Sequence, residues 1–412
     1  MKQHHLSRRS FLAVCAPLFL SGRVLGLDGA VSPSNRLIAG MIGAGNRAND
    51  LIGDLTPNGN FCLMGICDCF PEKGIAARDR IRGIYGNDDC ILFDRYEEIL
   101  DRSDFDVVFI AAPDHWHTKL IVESCMAGKD VYSEKPLTLT LQENRIVVAA
   151  ARKYNRVVTS GSQRVMEDYG YLAPIVQSGR IGEVKEVFCE VGAAGIECTL
   201  PPEPVPEGAD WDRWLGQAPW APYNKERCSG NYGGGWRRYR EYGNGFLADW
   251  GAHKFGGALY AIGLDAEEPV KLLQPRSGEN NTDFVTLLYA NGVQVHHAPG
   301  TDYDITIVGT EGKVKHLDFG VRPLKAVDVR RYHGGATRIA DDFAYSVRNR
   351  VRPFQDVLYG ARTAAACQIF NIGYRVGSDL VWNAEGCCFE GNDDANRLVR
   401  RVQRAPYTIP EV

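Results

Sequence analysis

Behind Lys2, Arg8 and Arg9 stands one short apolar run, 11–20, and from residue 36 onward buried-type strands alternate with amphipathic stretches. The apolar residues of 36–42 run straight into Gly43-Ala44-Gly45-Asn46-Arg47-Ala48, and a helix is expected over 49–55. A second strand over 61–67 stops at Asp68, and the helical segment 71–82 that follows is interrupted by Gly74. A third strand, 106–112, ends in Pro113-Asp114-His115-Trp116-His117, before a helix over 118–127. Strand 130–133 ends in Glu134-Lys135-Pro136, and helix 141–154 with strand 157–160 completes the series. Strands alternating with helices of this length predict a parallel, doubly wound sheet. Such sheets bind ligands outside the carboxyl ends of their strands. Every punctuated motif named here, and 160–164, stands at such an end.

The pattern changes past residue 180. Short strands are expected over 183–191, 282–289, 293–298, 303–308 and 312–317, and Asn291-Gly292 is a hairpin signal. Between them, 195–244 is rich in Pro, Gly, Trp and Tyr and reads as a long aromatic loop walling a pocket. A single long helix is expected over 354–373, packed across the junction of the two halves. The fold class expected is α/β: an N-terminal Rossmann sheet over 31–160, then a C-terminal α+β domain over 161–412 with an open, largely antiparallel sheet.

The glycine-rich turn is G-x-G-x-x-A after a strand and before a helix. Gly43 allows the tight turn, Gly45 lets a pyrophosphate approach the backbone, and Ala48 lets the helix pack close. Asn46 and Arg47 open the helix, whose free N–H groups suit phosphate. Asp68 stands where a carboxylate binds the adenosine ribose hydroxyls, and it repels a 2′-phosphate, which favours NAD over NADP. Pro113, Asp114, His117, Glu134 and Gln163, at the later strand ends, are further candidates for cofactor contact.

The remaining composition narrows the class. Lys and Arg number 47 and Asp and Glu 51, so the net charge is −4 and no electrostatic footprint for nucleic acid exists. The ten apolar residues of 11–20 are too few to span a bilayer, which needs about 20. Ser7-Arg8-Arg9-Ser10-Phe11-Leu12 instead resembles a twin-arginine export signal. Residues 1–30 are therefore expected to be a leader recognised by the twin-arginine translocase, with a periplasmic destination and no transmembrane span. The 12 cysteines show no CxxC pair and no zinc-finger spacing. They are expected to be mostly buried small hydrophobes, and no metal site is expected.

Taken together, Gly-x-Gly-x-x-Ala, Asp68, Ala111-Ala112-Pro113-Asp114-His115-Trp116-His117 and Glu134-Lys135-Pro136 resemble the glucose–fructose oxidoreductase / inositol dehydrogenase / MocA family. The resemblance extends over about residues 35–412. Trp211-Asp212-Arg213-Trp214-Leu215-Gly216, Pro219-Trp220, Gly243-Asn244-Gly245, Asp249-Trp250-Gly251-Ala252-His253 and the closing 396–406 are similar to its exported bacterial branch. The resemblance implies that Lys135, Asp249 and His253 gather at a nicotinamide, with His253 as general acid/base and Lys135 holding the reacting oxygen. From the spacing alone, Asp249 and His253 at i, i+4 share one helical face, where a carboxylate favours the imidazolium. A cis bond before Pro136 is expected to aim Lys135. Arg164, Arg237, Tyr239 and Tyr242 are candidate substrate contacts, and Tyr239 or Tyr242 a candidate base. Family members often carry an acid three positions past the histidine; Gly256 stands there instead.

Three functions remain open at this point. One is an NAD-dependent oxidoreductase acting on a secondary hydroxyl of a sugar, polyol or glycoside. The second is a redox-neutral glycoside hydrolase or lyase on the same site, favoured by the leader, because no NAD pool is maintained outside the cytoplasm. The third is a catalytically silent sugar-binding protein. A homo-oligomer is expected from the family resemblance.

Overall fold

The computed structural model describes residues 35–412, apart from 57–58, 233 and 276–282. The leader lies outside the described residues. The first layer is the βα series: β1 (Leu37–Ile42), α1 (Asn46–Leu55), β2 (Phe61–Cys67), α2 (Pro71–Tyr85), β3 (Ile91–Phe93), α3 (Tyr96–Asp101), β4 (Val107–Ile110), α4 (Asp114–Met126), β5 (Asp130–Ser133), α5 (Leu141–Lys153) and β6 (Val158–Ser160). Its six strands are parallel, in the order β3-β2-β1-β4-β5-β6. The order reverses between β1 and β4, which opens a crevice at their carboxyl ends.

Three features of this half differ from the sequence expectation. β3 and α3 are additional. Gly74 does not interrupt α2; a Cβ there would sit 2.7 Å from Leu92 Cδ1, so the glycine lets the helix lie close to β3. Helix α4 begins at Asp114, so the polar motif after β4 is the first helical turn rather than a loop.

The second half contains α6 (Arg164–Glu167), α7 (Leu172–Gln177), β7 (Val184–Cys189), α8 (Trp211–Leu215), α9 (Gly245–Asp249), α10 (Gly251–Ile262), β8 (Lys271–Leu273), β9 (Val285–Leu288), β10 (Gln294–His297), β11 (Ile305–Gly309), β12 (Gly312–Lys315), α11 (Ile339–Asn349), α12 (Val357–Val376), β13 (Leu380–Asn383), β14 (Cys388–Phe389) and α13 (Asp393–Asn396). The sheet order is β12-β11-β7-β10-β9-β8-β13-β14. Only β7 and β10 pair in parallel among the described strands. The architecture is α/β with a mixed, largely antiparallel second sheet. Gly292 takes φ +87° in the turn between β9 and β10, as its hairpin position requires.

Helix α12 ties the halves together. A Cβ on its Gly360 would lie 2.6 Å from Ser160 Cβ at the end of β6. Buried Gln368 accepts from Asn144 at 2.7 Å and donates to the Thr138 carbonyl at 3.1 Å. Phe70, Trp211, Trp214, Tyr223, Trp236, Tyr239 and Tyr242 form a separate aromatic core within the long loop. All eleven described cysteines are free, six of them buried. No described helix is long and apolar enough to cross a membrane, and no described His/Cys/Asp/Glu group could hold a metal.

Candidate active site

The crevice at the carboxyl ends of β1, β2, β4 and β5 is a cavity with about 1070 Å³ of empty space, counting its open mouth. The glycine-rich turn forms one wall. Gly43 adopts φ +93°, and a Cβ there would be 2.7 Å from the Ala111 backbone, so only glycine fits. At Gly45 a Cβ would meet nothing within 4 Å, leaving the backbone open to a ligand. Helix α1 starts there without a side-chain cap, so its first N–H groups face the cavity unsatisfied. Asp68, at the end of β2, accepts from Ala44 N at 2.6 Å and from Phe70 N at 2.8 Å. Uncapped amides, open space over Gly45 and a carboxylate at that strand end fit a dinucleotide.

The opposite end of the cavity is densely charged. Lys135 Nζ donates to Asp249 Oδ1 at 2.6 Å and to the Asp249 carbonyl at 3.0 Å. Arg237 Nε lies 3.6 Å from the same Oδ1, and its guanidinium covers the Trp236 ring at 4.3 Å. Asp114 has a buried Oδ1 without a partner; burial and the Asp249 charge push its pKa well above the usual carboxylate range. Arg47 Nε pairs with Glu134 Oε1 at 2.6 Å, which ties the glycine-rich turn to the segment presenting Lys135. The Lys135–Pro136 peptide is cis.

His253 is 3% exposed, its Nδ1 is buried without a hydrogen-bond partner, and its ring meets the Trp250 ring edge-on at 5.8 Å. Burial pushes its pKa well below 6.5, and the charges of Lys135, Arg164 and Arg47 push it further. The imidazole is neutral. This reverses the expectation that Asp249 favours the imidazolium. Trp250, between α9 and α10, keeps helical φ/ψ of −83° and −26°, but His253 N bonds to the Trp250 carbonyl at 3.0 Å while the Asp249 carbonyl accepts from Lys135. The Asp249 carboxylate is engaged by Lys135 and Arg237 instead, and the net field at His253 is positive.

Several predicted residues lie elsewhere. His117 is fully buried, with its ring nitrogens against the Pro136 and Ala112 carbonyls at 2.7 and 2.9 Å, so it braces the Lys135 turn rather than lining the cavity. Gln163 and His253 are likewise outside the cavity wall, and the Gln163 Oε1 is buried without a partner. Arg164 pairs with Asp168 and lies over the Trp250 ring at 5.2 Å. Tyr239 and Tyr242 are 5% and 1% exposed within the aromatic loop core, where burial raises their pKa values. Neither lines the cavity. Gly256 and Gly257 pack α10 closely: a Cβ at the first would stand 3.0 Å from Val165 Cγ2, and at the second 2.6 Å from Tyr169 Cδ2. A side chain at position 256 would press on Val165 and Thr363.

Tyr232 and Gly230 are cavity-wall residues without a sequence signal. Asn46 Nδ2 donates to the Gly230 carbonyl at 3.1 Å, and Tyr232 Oη donates to Asp50 Oδ2 at 2.5 Å. This segment of the aromatic loop therefore straps the start of α1, over the turn where phosphates would lie.

Comparison with known proteins fits this geometry. Residues 37–162 match the Gfo/Idh/MocA oxidoreductase model for the NAD-binding Rossmann fold, and residues 188–409 match the C-terminal α/β domain model of the same family. The chain is 23% identical over 299 residues to dTDP-3,4-didehydro-2,6-dideoxy-alpha-D-glucose 3-reductase of Streptomyces antibioticus, covering 71% of this chain and 78% of that protein. It is 26% identical over 214 residues to a glycosyl hydrolase family 109 protein of Shewanella sp. strain ANA-3, covering 44% of this chain and 45% of that protein. The fold matches the WlbA dehydrogenase of Bordetella pertussis, solved with NADH and UDP-GlcNAcA, at TM-score 0.58 and 17% identity over 85% of this chain and 98% of that one. The protein belongs to the Gfo/Idh/MocA oxidoreductase family, with an NAD-binding Rossmann domain.

Proposed function

We propose that the protein oxidises a secondary hydroxyl of a sugar, polyol or glycoside, with NAD held on the glycine-rich turn. The observation that carries this reading is one cavity containing both that turn and the Lys135–Asp249–Arg237 cluster, with neutral His253 close enough to feel the Lys135 charge. Bound nicotinamide would accept the hydride. His253, neutral and buried, takes the hydroxyl proton. Lys135, held by Asp249, stabilises negative charge developing on the same oxygen. Asp249 positions the ammonium, and Arg237 lies beside that carboxylate. Gly43, Gly45, Asn46 and Arg47 cradle the pyrophosphate, and Asp68 takes the adenosine ribose hydroxyls and rejects a 2′-phosphate, so NAD is preferred to NADP. The test is substrate-panel turnover in Lys135→Met and His253→Asn: both lose hydride transfer while retaining NAD. Full turnover in either variant refutes the reading.

A second reading is favoured by the strap from Gly230 and Tyr232 onto Asn46 and Asp50, which would slow cofactor exchange. Here a sugar hydroxyl is oxidised to a ketone, and the acidified adjacent C–H gives up its proton as the leaving group departs. Water then adds and the ketone is reduced again, so the net reaction is hydrolysis. The similarity to a family 109 glycosyl hydrolase supports it. The twin-arginine-like leader supports it as well, since a periplasmic enzyme exported folded would bring its cofactor along. The denatured protein should then release one NAD per chain. Aryl glycosides should turn over repeatedly without added NAD and without net absorbance change at 340 nm, whereas stoichiometric NADH supports the simple dehydrogenase. A homo-oligomer is part of this proposal, and sedimentation of the mature chain tests it.

A further inference from the structure

A second cavity, with about 1980 Å³ of empty space counting its mouth, shares no lining residue with the first. It forms where the start of α5, the end of α12, the 240–244 segment and the C-terminal stretch 396–402 meet. Five arginines line it (Arg240, Arg375, Arg397, Arg400 and Arg401) against two carboxylates, Glu241 and Asp393. Carboxylates outside the lining, Glu197, Asp394 and Glu143, offset three of these arginines.

Three of the arginines have partners. Arg240 pairs with Glu197 and lies 3.9 Å from Glu241, and Arg397 holds Asp394 at 2.6 Å. Arg401 reaches Glu143 at 3.4 Å and donates to the His115 carbonyl at 3.0 Å. Among the described residues Arg375 and Arg400 make no hydrogen bond and no ion pair. Burial pushes the Arg375 pKa down, and the like charge of Arg240 adds to this against the opposing charges of Glu241 and Glu197. Guanidinium groups gathered around a concave space with their forks unused match the fork geometry of an oxyanion. The space is larger than one ion needs, so a saccharide bearing that ion also fits.

We propose that this cavity binds a phosphate or sulfate group, free or carried on a sugar, through Arg375 and Arg400 with Arg240 beside them. The proposal does not depend on the redox reading of the first cavity. The test is titration calorimetry of the full chain with inorganic phosphate and with glucose 6-phosphate, at constant ionic strength set by chloride. One saturable site per chain is expected, weakened at least about tenfold in the double variant R375A/R400A, because each charge-assisted bond lost is worth that much or more. R375K/R400K should recover part of the affinity. Tighter binding of the sugar phosphate identifies a carried group; equal binding identifies the free ion. NAD binding should be unchanged in both variants, since neither arginine lines the first cavity. Heats that do not saturate, or equal affinities in wild type and R375A/R400A, overturn the proposal.

Discussion

Lys135→Met isolates the electrostatic core of the proposed mechanism. Methionine keeps the length and packing of the lysine stem and removes only the ammonium. Asp249, with a side chain 8% exposed, then retains Arg237 at 3.6 Å as its remaining cation. Breaking a buried ion pair by removing one partner costs about 3–5 kcal/mol. The surviving arginine places this case at or below the low end, about 3 kcal/mol of stability. The catalytic loss is of a different kind. Removing one preorganised donor to a developing oxyanion lowers kcat by about 10²–10³-fold.

The same substitution carries a second, independent readout. After burial, the Lys135 ammonium does most to hold the His253 pKa below 6.5. A base works in its neutral form, so wild-type activity should persist on acidification well below pH 6.5. In the variant the acid limb of kcat/KM should move up toward 6.5, though not reach it, because burial, Arg164 and Arg47 remain. Carbon-13-edited NMR of the His253 ring, assigned with His253→Asn, reads the same shift without a substrate. Lys135→Arg should leave the limb near its wild-type position while kcat stays low, since charge is kept and geometry is lost. A wild-type His253 that titrates at 6.5, or a limb that ignores the loss of Lys135, refutes the reasoning.

Four other outcomes follow from the structure. Gly43→Ala should lose about 1–3 kcal/mol of stability in urea unfolding, from the φ of +93° and the 2.7 Å approach to Ala111, and should bind NAD weakly; an unchanged midpoint contradicts the turn geometry. Tyr232→Phe removes the strap's 2.5 Å bond to Asp50 and should speed NADH release, followed by fluorescence, by about fivefold for a bond worth about 1 kcal/mol; identical release rates dismiss the strap as a retaining device. Asp68→Asn should narrow the NAD-to-NADP affinity ratio at least about tenfold in equilibrium titration, and an unaltered ratio removes Asp68 from cofactor selection. His115, fully buried against the Trp214 carbonyl at 2.9 Å, has its pKa lowered to about 3. Below pH 6.5 the unfolded chain gains a proton there that the folded chain refuses, so wild-type stability falls relative to His115→Gln by about 1.4 kcal/mol per pH unit down to about pH 3; parallel stability profiles refute it.

The parallel sheet was legible because each of its longer strands is an apolar run that stops at a polar or glycine motif. β3 was not, since three residues with only Phe93 buried leave no period to detect. Gly74 looked like a break because local propensity penalises glycine in a helix; the tertiary approach of Leu92 requires it there. In the long loop, composition announced aromatic walls but could not distinguish wall from filling. Tyr232 lines the cavity and Trp236 both lines it and joins the loop's core, while Tyr239 and Tyr242, a few residues on, lie in that core alone. That choice depends on which rings Phe70 and Trp214 meet after the chain has folded back on itself.

The Asp249–His253 pair shows why spacing alone misjudges a site. An i, i+4 carboxylate and imidazole interact only if the helix between them is continuous and no stronger cation competes. Here Lys135, 114 residues away in sequence, takes the carboxylate at 2.6 Å and the Asp249 carbonyl at 3.0 Å. Arg237 approaches the same oxygen from the aromatic loop. The carboxylate is thereby spent on cations, and the histidine is left in a desolvated, positively biased setting that keeps it unprotonated. For the base of the proposed reaction this is the more useful state, because no proton has to be shed before each turnover. Burial and the charges of Lys135, presented by the Rossmann strand end, Arg164 and Arg47 together set the protonation state of His253 at rest.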